Sequence, residues 1–139
     1  MWREVKPQET ARALSLKNGI CSVRGAGKNG GADIIAIPLF QLRAAGFNGQ
    51  RYFALYVDEE NRKIGLQLFD HPPKGRSLRR LTVVNEVRFV ARSALRMLGA
   101  SPGYYRWSLD RERNFIVVDL NDPVPREKAV DLSHGGEDE

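Results

Sequence analysis

The chain has 139 residues, 42% of them apolar and 28% charged, the balance of a single globular domain large enough to bury a core. No apolar run approaches the about 18 residues of a membrane-crossing helix, and Met1-Trp2-Arg3-Glu4 opens no signal-peptide-like stretch, so a cytoplasmic protein without a membrane partner is expected. The formal net charge of +5 points to polyanionic partners, while a lone cysteine, Cys21, and two histidines exclude an intramolecular disulfide and a closed zinc site.

Residues 1–12 are polar, lack an apolar face and read as an N-terminal arm. Ala13 to Val23 alternates weakly about Asn18-Gly19, the strongest short hairpin signal, and predicts a strand, a tight turn and a second strand. Arg24 to Gly31 is a basic, glycine-rich loop. Ala32 to Ile37 predicts a strand, after which Pro38 opens a short helix over Leu39 to Ala45 that Gly46 stops. Arg51 to Tyr56 and Lys63 to Phe69 predict a hairpin around Asp58-Glu59-Glu60-Asn61. Residues 71–75, with Pro72, Pro73 and Gly75, form a linker between a first unit (13–70) and a second (76–122). The second unit predicts strands at Leu81 to Val84 and Val87 to Val90, a helix over Ala91 to Leu98 ended by Gly99, and a hairpin of Tyr104 to Leu109 with Asn114 to Leu120. The chain reads as extended from Asn121, and residues 123–139 as an acidic tail.

The two units echo one another. Leu42, Arg43 and Gly46 recur 53 positions on as Leu95, Arg96 and Gly99; Ile64, Leu68 and Asp70 recur 52 positions on as Ile116, Leu120 and Asp122. Losing one residue in a connection accounts for the difference, because loops tolerate indels best. The expected fold is therefore α+β, mostly β, built as a tandem βαββ duplication with pseudo-twofold symmetry.

No constellation predicts catalysis. Gly25-Ala26-Gly27-Lys28 lacks the upstream glycine and the following Ser or Thr of a phosphate-binding loop, and neither His71 nor His134 has the partners of a triad or metal site. Asp58-Glu59-Glu60 lacks the alternating ligands of a calcium loop. Catalytic residues, metals and cofactors are thus all expected to be absent. Cys21 reads as a small buried residue. Trp2, Tyr104, Tyr105 and Trp107 could stack on bases but fit a core better.

Charge placement is more informative. From Lys74 to Arg96 lie Lys74, Arg76, Arg79, Arg80, Arg88, Arg92 and Arg96 against one acid, Glu86. Clustered arginine suits phosphate contacts and counterion release. The expected nucleic-acid contacts are Arg24 and Lys28 in the glycine-rich loop, Arg76, Arg79 and Arg80 after the linker, and Arg88 and Arg92 leading into the second helix. The matched pair Arg43 and Arg96 could instead hold hairpin acids and fix each helix.

The series Ile35-Ala36-Ile37-Pro38, Leu42-Arg43, Gly46-Phe47, and a hairpin from Tyr56-Val57-Asp58 to Ile64-Gly65-Leu66 resembles the AbrB-type swapped-hairpin domain. Phe89-Val90-Ala91 stands where the second unit would carry Ile-x-Ile-Pro. Two such units in one chain are similar to the arrangement in MraZ-type regulators, over about residues 32–70 and 86–122. The resemblance implies a swapped-hairpin barrel and a small DNA-binding transcriptional regulator or antitoxin-like module, favouring duplex DNA and open to homo-oligomers. A non-enzymatic interaction or assembly module and a single-stranded nucleic-acid or RNA binder are the alternatives left by the residues themselves.

Overall fold

The computed structural model describes residues 18–25, 31–72 and 78–127. It is mostly β, with one nearly closed, barrel-like antiparallel sheet. In chain order the elements are β1 (Asn18–Arg24), β2 (Ile34–Pro38), α1 (Leu39–Ala44), β3 (Tyr52–Asp58), β4 (Lys63–Phe69), β5 (Arg79–Arg80), β6 (Thr82–Val83), β7 (Glu86–Val90), α2 (Arg92–Met97), β8 (Gly103–Asp110) and β9 (Phe115–Val124).

The strands are ordered β5-β3-β4-β9-β8-β1-β2-β7-β6. Only Leu81 separates β5 from β6, the two edges of that order. Its N–H donates to the Arg51 carbonyl at 3.0 Å, so residues 79–83 bond first to β3 and then to β7. That step all but removes the open edges that would otherwise expose unpaired backbone.

Alternation sorts the side chains. On β7, Val87 and Phe89 are buried while Arg88 and Val90 are exposed, the period of two expected of a strand with one wet face. Phe89 meets Phe53 of β3 edge to face, with centroids 5.1 Å apart. The helices have six residues each, too short to be stable alone, and are held by fully buried Leu42 and Leu95. They follow β2 and β7, which run antiparallel, so they leave the sheet at opposite ends of the barrel. Gly46 (φ +108°) and Gly99 (φ +63°) stop them in the left-handed region.

The pairing is regular at one spacing. Ala36 faces Arg88 across β2 and β7, and Gly65 faces Val117 across β4 and β9; both pairs are 52 positions apart. The hairpin pairing Asp58 with Lys63 is matched 52 positions on by Asp110 with Phe115. The turns match as well. Asp58 Oδ1 accepts the Asn61 N–H, Asp110 Oδ1 accepts the Arg113 N–H, and left-handed Arg62 and Asn114 follow.

Three sequence expectations are corrected. Asn18-Gly19 is not a turn: both residues lie inside β1, opposite Ser108 and Trp107. Glycine is needed there for close approach, since a Cβ at residue 19 would lie 2.6 Å from Trp107 Nε1. Residues 121–124 do not start a tail either, because β9 runs on to Val124. A bulge between Tyr105 and Arg106 shifts the register, so Tyr105 faces Pro123 and Tyr104 faces Val124. Val124 is buried against Ile20 and Tyr104. Pro38 ends β2 and caps α1 rather than filling its first turn.

Trp107, Tyr105 and Cys21 are buried, and Tyr104 is half-buried. Trp107 Nε1 donates to Gln41 Oε1 at 3.0 Å, and the same oxygen accepts the Ile20 N–H at 2.9 Å. One buried amide thus ties α1 to β1 and β8. The Cys21 thiol donates to the Tyr105 carbonyl at 3.5 Å, and burial pushes its pKa up to about 12.

Candidate nucleic-acid interface

The wall formed by β1, β2 and β7 carries much of the basic charge. β1 and β2 pair Arg24 with Ile34, and β2 and β7 pair Ile34 with Val90. Arg79, from β5, donates to the Val90 carbonyl at 3.4 Å, so Arg24 and Arg79 flank one row across the wall. Arg92 begins α2 just beyond that row.

Two carboxylates organise these arginines. Glu86 receives Arg24 and Arg88, the latter at 2.7 Å. Its partial burial opposes ionisation, but the hydrogen bonds from Arg88 and Arg24 outweigh that and hold the carboxyl below its ordinary range. Asp33, in the connection before β2, is 4% exposed. Its Oδ1 accepts Arg92 Nε at 2.9 Å and Arg96 Nη2 at 3.3 Å. Four guanidiniums therefore share two carboxylates, and all four remain exposed. A surface of this kind is fixed in geometry yet keeps a surplus of positive charge.

The opposite end differs. An open groove of about 570 Å³ lies between α1, the loop before β3 and the β5–β6 segment, and Arg43, Arg51 and Arg80 line it. No carboxylate pairs with any of the three among the described residues. Arg80 sits 5.9 Å from the Tyr52 ring centroid, a distance at which the ring face still attracts a cation.

No family model matches the chain, no curated protein matches it, and no solved structure matches it.

The expected contact residues are thus distributed as follows. Arg24, Arg79, Arg88 and Arg92 belong to the β1–β2–β7 wall and its α2 end. Arg80 belongs to the groove, and Lys28 and Arg76 lie outside the described residues. Arg96 does fix its helix, but through Asp33 and not a hairpin acid; Arg43 has no acid partner among the described residues. Arg51 carried no signal of its own, being one arginine after a glycine-containing loop. His71 is exposed, and the Asp58-Glu59-Glu60 turn is solvated. Among the described residues, no three His, Cys, Asp or Glu side chains gather to hold a metal ion, and no helix is long and apolar enough to cross a membrane.

Proposed function

We propose that this chain binds nucleic acid without catalysis, with duplex DNA as the favoured partner, as a small transcriptional regulator or antitoxin-like module. The observation that carries the reading is the arginine surplus: Arg24, Arg88, Arg92 and Arg96 share Glu86 and Asp33, with Arg79 beside them. Held guanidiniums present planar forks to phosphate oxygens with little conformational entropy left to lose.

The shared 52-residue spacing supports reading residues 13–70 and 76–122 as two copies of one unit related by a pseudo-twofold axis. Such an axis would pass between Ala36 and Arg88 on the basic wall and between Gly65 and Val117 on the far side. A twofold on the basic face can coincide with the dyad of a DNA duplex. The resemblance to AbrB-type and MraZ-type domains, with a swapped-hairpin closure, fits the same arrangement: the tip of one hairpin reaches the other unit's helix end, where Arg62 donates to the Leu98 carbonyl at 3.1 Å.

Gel-shift titration against random duplex, single-stranded DNA and RNA tests the reading. Binding should be strongest to duplex and fall steeply between about 50 and 200 mM salt, because each neutralised phosphate releases counterions. Undetectable affinity for every nucleic acid near 50 mM salt would reject it in favour of a protein-interaction module.

A further inference from the structure

We infer that the groove lined by Arg43, Arg51 and Arg80 is a second phosphate-binding site, which takes a backbone phosphodiester of the bound nucleic acid at the barrel end opposite Asp33. The inference rests on the reading of the chain as a nucleic-acid binder and adds to that function Arg43 and Arg51, which lie outside the arginine-rich stretch.

Three observations converge. The first is charge. Three arginines border one open groove of about 570 Å³, and among the described residues no acid lines it. Like charges around one groove repel, and an anion placed among them would relieve that repulsion. The second is surface chemistry. Leu39, Phe47 and Leu81 also line the groove, so it offers apolar contact for the carbon face of a sugar beside guanidiniums that can bond its phosphate.

The third is the contrast between the two barrel ends. The Ala91 N–H donates to the Asp33 carbonyl at 2.9 Å, and the Leu39 N–H donates to the Asn85 carbonyl at 3.1 Å. Both partners are displaced by the same 52 positions, so Asn85 holds the place of Asp33 and α1 the place of α2. At the α2 end the carboxylate of Asp33 receives Arg96. At the α1 end the corresponding residue is an uncharged amide, and Arg43, the counterpart of Arg96, has no carboxylate partner among the described residues. The position that holds Asp33 at one end is thus uncharged at the other, and that end carries the groove.

The test is fluorescence anisotropy with a short labelled random-sequence duplex, on wild type, on the triple variant Arg43→Gln/Arg51→Gln/Arg80→Gln, and on Lys63→Gln/Arg106→Gln/Arg126→Gln, which removes as much charge elsewhere. The groove variant should lose roughly a hundredfold in affinity near 0.1 M salt, and its salt dependence should flatten by about 2 to 3 in log–log slope. The control should lose far less. Equal losses in both, or wild-type binding by the groove variant, overturn the site. Should the triple variant fail to fold, the three single substitutions decide: each should reduce the slope by about 0.9, and three unchanged slopes overturn the inference.

If wild type binds no duplex, the functional reading fails, and the groove is judged separately with inorganic tripolyphosphate. Amide shifts at Phe47 to Arg51 in wild type that vanish in the groove variant retain a phosphate site for a free anion. Their absence overturns the groove as well.

Discussion

Arg96 reaches Asp33 at 3.3 Å, across 63 positions of sequence, and shares its Oδ1 with Arg92. That carboxylate is almost fully buried, while both arginines are more than half exposed. Replacing it by the neutral isostere, Asp33→Asn, removes the anion without changing volume. Unfolding in urea should show a loss of about 1–3 kcal/mol, the range for breaking a buried, charge-assisted hydrogen bond. The same variant frees two guanidiniums, so its affinity for random duplex should rise about tenfold near 0.1 M salt, as one added phosphate contact would produce. A fall in affinity would mean that Asp33 orients the arginines more than it neutralises them.

Gln41→Leu tests the buried amide. It leaves the Ile20 N–H and Trp107 Nε1 without their acceptor, and two unsatisfied buried donors should together cost about 2–5 kcal/mol. Gly19→Ala pushes a methyl group into the same contact and should cost about 1–3 kcal/mol through overpacking. Chemical denaturation of both variants checks these figures. Near-neutral outcomes would mean that α1 can shift away from β1.

Glu86 supplies an acid-side dependence. Its carboxyl is held below the ordinary range, with the hydrogen bonds from Arg88 and Arg24 overcoming the opposing effect of burial. A lowered native pKa means that the unfolded chain binds the proton first as pH falls. The stabilisation is therefore complete above the ordinary carboxylate range and is lost as pH drops through the native value. Glu86→Gln should flatten that part of the stability–pH curve, measured as urea midpoints from neutral pH downwards.

Cys21 supplies the alkaline counterpart. Burial raises its pKa from 9.0 to about 12, so the unfolded chain releases the proton first as pH rises. The contribution is complete below pH 9.0 and declines from there towards about 12. Cys21→Ser should show a shallower alkaline decline. The native thiol should resist an aromatic disulfide reagent at neutral pH and react fully once urea unfolds the chain.

Local features carried most of the secondary structure. The helix stops at Gly46 and Gly99, the acidic hairpin turn and the alternation of β7 were legible because each depends on residues within a few positions of one another. The net charge and the arginine-rich stretch likewise narrowed the class of partner without any fold. The sequence reading failed where a local signal was overridden at long range: Asn18-Gly19 satisfies a hairpin rule, yet the approach of Gln41 and Trp107 gives the glycine a different purpose. The chain from Asn121 reads locally as an extended tail, yet with a bulge at Tyr105/Arg106 β9 stays paired through Pro123 to Val124.

The sequence by itself determined a mostly β chain with more positive than negative charge, since composition, periodicity and turn chemistry are properties of neighbouring residues. Only the tertiary structure decided which charges are matched. Glu86 lies 62 positions from Arg24, and Asp33 lies 59 from Arg92. Barrel closure through Leu81 sets Arg80 beside the groove that Arg43 and Arg51 line. Coulomb interactions depend on distance in space, and that distance exists only once the sheet has closed.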